Sequence, residues 1–360
     1  MNFHLFQNFA FDFSVILISL VFIGLTYLAL VRSKPEDYEP FDLLSVLVIV
    51  PCRGLDYSLE DNLRSIANQD YPNYKIVAVA DAEDDPALEV VKKVGISWML
   101  TQNVCSSCSG KVRALSTVIE RETSYDLYVI ADSDICVEQN WLIELVSPFK
   151  SADCGISTTF PYFRPIGGFW SKVKMVWGFV GQGMMESTLT RFGWGGSLAF
   201  RPSLLAGENF DFFKRYISDD IALTKLCRKE RKTIAYVRKA MPIVNSPDNF
   251  NTFMEWANRQ TALTVYSTKR YLYYGLLFYG SSIFLFSESL ILGLTVTPLF
   301  LAYLLPSLIN SSRAVKRSGR MPVTTFILNL IIPFLYFYNL VKASRMREIS
   351  WRGRDYPLKD

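Results

Sequence analysis

Tyr125-Asp-Leu-Tyr-Val-Ile-Ala-Asp-Ser-Asp134 is the stretch whose reading decides the fold of this chain. Its apolar run, Leu127 to Ala131, is short, rich in β-formers and suited to a buried strand. The run stops abruptly at Asp132-Ser133-Asp134. Two carboxylates at i and i+2 repel each other unless something positive lies between them. A hard divalent cation with oxygen ligands is the natural candidate. Carboxylates, metal and a diphosphate together would make a site for a nucleotide-activated substrate. Asp-Ser-Asp is also good turn and N-cap chemistry, so on this stretch alone a solvated turn competes with a metal site.

Working outward, the same pattern recurs. Leu43 to Val50 is a continuous apolar β-run fit for a central parallel strand, and it ends at the loop Pro51-Cys-Arg-Gly54. Leu59 to Gln69 has helical spacing, with Leu59, Leu63 and Ile66 on one face. Tyr74 to Ala80 reads as the next strand. It stops at the acidic cluster Asp81-Ala-Glu-Asp-Asp85, after which Pro86 opens a helix over Ala87 to Val94. Strand and helix alternating, with acids at the strand ends, predict a doubly wound α/β domain. Ligands in such folds sit beyond the carboxyl ends of the strands, so Asp85 and Asp132 share one rim. Dinucleotide and P-loop signatures are absent from the sequence. Lys111 follows Ser109-Gly110 and opens a helix to about Glu122, where it can meet a phosphate; an ordinary exposed lysine is the competing reading.

The composition sets bounds on function. Half of the 360 residues are hydrophobic, and they are bunched at the two ends. The net charge of +4 comes without a basic stripe interleaved with aromatics, which argues against a nucleic-acid partner. Cys105 and Cys108 form a lone C-x-x-C with no second pair at zinc spacing, so the six cysteines are expected to be free thiols in a reducing compartment. The single histidine, His4, is far from the middle of the chain, so a general base there is expected to be a carboxylate. Phe13 to Val31 is apolar and uncharged, and its nineteen residues reach across the roughly 30 Å hydrocarbon core. Arg32 and Lys34 follow it and place the next domain in the cytoplasm by the positive-inside rule. Tyr271 to Ile309 is long enough for two spans, joined near Glu288 to Leu294 or near Pro298, before the basic loop Arg313, Lys316, Arg317 and Arg320, which the positive-inside rule places inside with the catalytic domain. Val323 to Val341 is a further apolar stretch, read as a span or as a re-entrant segment bent at Pro333. The re-entrant form keeps the basic tail inside.

Four ordered motifs carry a resemblance. They are Arg53 to Ala87, Ala131-Asp-Ser-Asp134, Ile217-Ser-Asp-Asp220 and the tail Ile349-Ser-Trp-Arg-Gly-Arg-Asp-Tyr356. Over most of the chain from about residue 43 the sequence resembles family 2-type membrane glycosyltransferases with the A-type nucleotide-sugar fold, and it is similar to ceramide glucosyltransferases. The resemblance implies an α/β nucleotide-sugar-binding domain flanked by transmembrane helices. Its expected parts are an anchor over 1–35, a cytoplasmic catalytic domain over 36–270, a membrane region over 271–345 and a basic tail over 346–360. It implies that Asp85 contacts the nucleotide, with Asp81 as rival, that Lys111 meets a phosphate, and that Asp132 and Asp134 hold Mg or Mn on the diphosphate. Asp132 can alternatively hold the donor itself. Asp220 would be the general base. The family's Gln/Arg-x-x-Arg-Trp motif corresponds to Trp256-Ala-Asn-Arg259-Gln260, in which the arginine is kept and the tryptophan and glutamine exchange ends. Arg259 would face the leaving diphosphate and Trp256 the acceptor. The loop Phe192-Gly-Trp-Gly-Gly-Ser197 also lies by the acceptor in that family, making Trp194 and Gly195 candidates there, with an ordinary packing tryptophan as the alternative.

Two readings of the middle segment stay open. Ile156 to Phe163 would continue the sheet. Phe169 to Met185, interrupted by Gly178, Gly181 and Gly183, is either a helix at the bilayer surface or a buried core helix. Ile217 to Leu226 starts a helix whose dipole would depress the pKa of Asp219 and Asp220. The expected function is a membrane-bound inverting transfer of a glucose-like sugar from a nucleotide-sugar, uridine-linked by resemblance, to the hydroxyl of a membrane lipid. A polyprenyl-phosphate sugar or polysaccharide synthase, a transporter and an inactive scaffold are the alternatives.

Overall fold

The computed structural model describes residues 2–31, 36–102, 104–105, 108–319 and 321–358, with backbone alone over 2–13. Arg32, Lys34 and Arg320, three of the charges used to orient the chain, lie outside the described residues. Along the chain the elements are α1 (Asn2–Leu30), β1 (Val46–Pro51), α2 (Leu59–Ala67), β2 (Tyr74–Ala80), α3 (Pro86–Val94), β3 (Ser97–Leu100), α4 (Gly110–Arg121) and β4 (Leu127–Ala131). Next come β5 (Ile135–Cys136), α5 (Trp141–Val146), β6 (Cys154–Thr158), β7 (Tyr162–Pro165), α6 (Phe169–Glu186), β8 (Ser197–Phe200), α7 (Glu208–Phe213), α8 (Asp219–Lys229), β9 (Thr233–Tyr236) and β10 (Ile243–Ser246). The last are α9 (Phe250–Ser267), α10 (Lys269–Thr295), α11 (Leu305–Ser318), α12 (Pro322–Ala343), β11 (Glu348–Trp351) and β12 (Arg354–Pro357). They divide into two units, one of Ser33–Asn249 with Ser350–Tyr356, the other of Met1–Arg32, Phe250–Ile349 and Pro357–Asp360.

The first unit is an α/β domain around a seven-stranded sheet of order β3-β2-β1-β4-β8-β6-β9. The strands of β1 and β4 are buried on both faces, which is why they read as unbroken apolar runs rather than alternations. β1 pairs in parallel with β2 on one side and β4 on the other. The chain order therefore reverses between β1 and β4, the kind of crevice where open α/β sheets hold ligands. The doubly wound expectation holds for β1 to β4 and stops there, because β8 enters antiparallel to both β4 and β6. The expected strand over Ile156 to Phe163 is two strands. β6 stays in the large sheet, and β7, after Pro161, joins β10 and β5 in a three-stranded sheet. Helix α6 resolves the other open reading towards a core helix. It is continuous, and most of its residues from Val173 to Gln182 are buried. Its glycines are seats for aromatic rings: a Cβ on Gly178 would lie 2.5 Å from the Phe163 ring, and one on Gly181 would lie 2.2 Å from that of Phe160.

In the second unit, α10 and α12 are long and apolar enough to cross a membrane, and Ser14–Leu30 of α1 is a shorter apolar helix. The stretch from Tyr271 does not break at Glu288, which lies within α10; the break comes near Pro298. α12 runs unbroken through Pro333, so the expected hairpin bend does not form. Pro333 lacks an amide hydrogen and leaves one carbonyl without its usual helical donor. Polar side chains tie the unit together: Asn329 Nδ2 donates to Ser311 Oγ at 3.2 Å, and Asn339 Nδ2 to Asn258 Oδ1 at 2.8 Å. The Tyr279 and Tyr336 rings stack with centroids 4.9 Å apart.

Gly181→Ala should force the Phe160 ring to move and cost about 1–3 kcal/mol of stability, as overpacking does. Urea or thermal midpoints of the purified protein measure this, and an unchanged midpoint refutes the tight seat.

Candidate active site

The site is built from loops at the carboxyl ends of β1, β2 and β4. The antiparallel register pairs Ala131 with Ser197, which brings the Trp194-Gly-Gly196 loop alongside the end of β4. The Asp132 amide donates to the Gly196 carbonyl at 3.1 Å. Opposite, Ser109 caps α4 by accepting the Val112 amide at 3.2 Å, and this helix start projects Lys111 inward. The Lys111 ammonium lies 2.7 Å from Asp132 Oδ1, 3.2 Å from Asp219 Oδ2 and 3.0 Å from the Gly195 carbonyl. Burial opposes the Lys111 charge, but Asp132 and Asp219 outweigh it and hold its pKa above the usual value. The exposed-lysine reading is thereby overturned, since only 9% of the side chain is accessible.

Asp219 and Asp220 have different surroundings. Burial raises the Asp219 pKa against the pull of Lys111, so the depression expected from the helix dipole does not hold for it. Asp220 Oδ1 accepts from the Ser218 hydroxyl and from the Ile221 amide at 2.7 Å, while Oδ2 accepts the Gly195 amide at 3.3 Å. Ser218 stands at the N-cap position but spends its hydroxyl on this carboxylate rather than on the helix backbone. Gly195 is required by the close approach: a Cβ there would be 2.5 Å from Asp219 Oδ2 and 3.0 Å from Lys111 Nζ.

A second cluster forms behind Asp132. Asn62 on α2 donates to the Ser133 carbonyl at 3.0 Å, and the Ser133 hydroxyl donates to Asp56 Oδ2 at 2.5 Å. Burial and the charges of Asp132 and Asp56 push Asp134 up to about 7, with Arg352 acting against them. Among the described residues no group of three or more acidic, histidine or cysteine side chains could hold a metal by itself. Asp132, already facing Lys111 at 2.7 Å, adds its charge to the surroundings of Asp134, so the two carboxylates follow each other along one strand end. Such a pair fits a hard cation whose remaining ligands are waters and phosphate oxygens.

The rivals for the first motif aspartate are separated by the structure. Asp81 gathers three guanidiniums, from Arg53 at 3.4 Å, Arg113 at 3.5 Å and Arg354 at 3.0 Å, and accepts from Thr101 Oγ1 at 3.1 Å. Asp85 is the N-cap of α3; its Oδ1 accepts the amides of Ala87 and Gly54, both at 2.9 Å, and so ties the loop after β2 to the loop after β1. Trp194 is half-buried, its ring 5.9 Å from that of Phe160 and its amide donating to Thr158 Oγ1 at 3.0 Å. Trp256 and Arg259 lie on α9 in the other unit, where Arg259 is 3.9 Å from Glu255.

Sequence reasoning missed Asp56, Asn62 and Arg113, and it gave no role to Arg352, Arg354 and Tyr356. Asp56, Asn62 and the tail residues lie inside the motifs that carry the resemblance, so the signal is present without the chemistry. Of the tail read as basic and cytoplasm-facing over 346–360, Ser350–Tyr356 groups with the α/β unit. Cys52, Cys136, Cys154 and Cys227 are free, and Cys105 and Cys108 lie with Cα atoms 5.9 Å apart, within disulfide reach.

A model of glycosyl transferase family 21 matches residues 12–360. Among solved structures, a mannosyltransferase from Pyrobaculum calidifontis in complex with GDP-Man and Mn2+ is similar at TM-score 0.52 and 18% identity, over 89% of this chain and 94% of that one. A glucosyl-3-phosphoglycerate synthase from Mycobacterium tuberculosis in complex with Mn2+, UDP and phosphoglyceric acid gives TM-score 0.45 and 14% identity, over 65% and 86%. The first of these likenesses shows a shared A-type glycosyltransferase fold.

Lys111→Ala should leave Asp132 and Asp219 facing each other without a cation and destabilise the protein by about 3–5 kcal/mol. Denaturant midpoints of variant and wild type decide this; a loss below 1 kcal/mol would mean that the ammonium is dispensable.

Proposed function

The chain belongs to glycosyl transferase family 21, and from that premise we propose that it moves a glucose-like sugar from a uridine diphosphate sugar to a hydroxyl group of a membrane lipid. It is a glycosyltransferase, which narrows the family 2-type expectation. The observation that carries the reading is the convergence of Lys111, Asp132 and the Asp219-Asp220 pair at the reversal point of the sheet. Ceramide-like lipids are the acceptor class that the sequence resemblance favours. The apolar helices α10 and α12 support a membrane location.

In this reading the donor lies along the strand ends. Lys111, ion-paired with Asp132 and Asp219, sits at the diphosphate end of the donor and holds Asp132 in place there. Asp81, at the end of β2 among its arginines, faces the nucleotide, and Asp85 holds the two loops in place. Asp132 and Asp134 would hold a divalent cation, which neutralises the diphosphate and improves it as a leaving group. The lipid hydroxyl attacks the anomeric carbon as the bond to the diphosphate oxygen breaks, and the configuration inverts. The electron pair leaves with the nucleoside diphosphate, and the hydroxyl proton passes to Asp220. The hydrogen bonds from Ser218, Gly195 and Ile221 keep that carboxylate aimed. Within the α/β unit, Trp194 and Gly195 are the acceptor-side residues of this reading. That Ser350–Tyr356 groups with Ser33–Asn249 supports an even number of crossings between them. α10 and α12 are the pair with the length for it, and the catalytic unit is assigned to the cytoplasm. This pairing puts Lys316 and Arg317 on the far side, against the positive-inside rule; the membership of the tail outweighs that preference.

Membranes containing the protein, given a panel of labelled nucleotide-sugars with and without Mg2+ or Mn2+, should pass label into the extracted lipid phase only with the metal. Label that stays in water under every condition rules out a lipid acceptor. Asp220→Asn should lower transfer by about 10²–10⁴-fold and leave nucleotide binding nearly intact. Near-normal turnover would remove Asp220 from the base role.

A further inference from the structure

The hairpin at the end of the chain reaches back across the catalytic unit. β11 and β12 are joined by Arg352 and Gly353, with φ of 52° and 71°. A two-residue turn with both φ values positive favours Asn-Gly, and an arginine at its first position is conformationally unfavourable. Its presence calls for a use of the side chain. The Arg352 guanidinium donates to Asp56 Oδ1 at 2.5 Å and to the Arg53 carbonyl at 2.9 Å, and it lies in the field of Asp132 and Asp134. Arg354 pairs with Asp81 at 3.0 Å, and the Tyr356 hydroxyl accepts the Gly110 amide at 3.1 Å, one residue before Lys111. Three tail side chains thus meet the loop after β1, the loop after β2 and the start of α4. These border the rim assigned to the donor.

We propose that Arg352 and Arg354 are donor-binding residues that present their guanidinium forks to the diphosphate of the nucleotide-sugar. The proposal rests on the nucleotide-sugar reading above. A planar guanidinium matches phosphate oxygens two at a time, so it holds a diphosphate in one orientation. Asp56 and Asp81 hold the two forks extended, and side chains held in place beforehand lose less freedom when the ligand arrives. The alternative is a clamp that ties three loops together and has no contact with the donor.

UDP and UMP separate these roles, because UMP lacks the second phosphate. Binding is measured by calorimetry on the full-length protein in detergent with Mn2+. Arg352→Ala and Arg354→Ala should each weaken UDP binding by about 10- to 100-fold, with UMP changed less than about threefold. Arg352→Lys, which keeps the charge but not the fork, should fall between. In the wild type, UDP with Mn2+ should slow amide exchange over residues 350–356, a measurement that needs no variant. Wild-type UDP affinity in both alanine variants overturns the proposal. So does an equal loss of UDP and UMP with a lowered thermal midpoint, or amide exchange over 350–356 that UDP leaves unaltered. If the wild type binds no nucleoside diphosphate at all, the nucleotide-sugar reading itself fails and the proposal falls with it.

Discussion

One ammonium group holds the acidic rim of the sheet together. Lys111 comes from the first turn of α4 and faces Asp132 at the end of β4, Asp219 at the start of α8 and the Gly195 carbonyl ahead of β8. None of these partners is its neighbour in sequence. Taking a charge out of water is costly, and its partners must be close and well aligned to offset that cost. The ammonium therefore fixes the distance between a parallel strand, an antiparallel one and two helices. Gly195 belongs to the same constraint, because any side chain there would fill the space that Asp219 and Lys111 occupy.

Around that group the acids of the rim are divided among separate cations. Asp132 and Asp219 face Lys111, Asp56 faces Arg352, and Asp81 faces Arg53, Arg113 and Arg354. Burial, with the charges of Asp132 and Asp56, raises the pKa of Asp134 beside them. The arrangement gives the two members of the Asp219-Asp220 pair different tasks. Asp219 neutralises the lysine, which leaves Asp220 to be oriented by neutral donors.

The sequence disclosed the parts of this fold that leave a local trace. β2 was legible to the residue, since its run is apolar and ends at an acid. The helices α3 and α4 carry their own start signals in Asp85-Pro86 and Ser109. Long-range pairing leaves no such trace. Nothing near Ser197 tells a reader that its strand will run antiparallel to β4. Arg352 meets Asp56 across 296 residues of separation, so its partner could not be inferred from spacing. The glycines of α6 were ambiguous for a related reason, because the rings that fill them, Phe160 and Phe163, lie on a different element. Asp81 and Asp85 differ by one helix turn in sequence, and hydrogen bonding rather than residue type separates a cap from a charge centre.

The hairpin at 350–356 also bears on the order in which the protein is made. The loops it meets leave the ribosome long before it does, and residues 269–343, with both of the long apolar helices, are synthesised in between. Until then Asp56 lacks its arginine and Asp81 lacks one of its three. A nascent chain that has completed its sheet is still unfinished at its rim, and the apolar helices must be made before the last two guanidiniums arrive. Completion of the α/β unit is thereby made to wait for the synthesis of both long apolar helices.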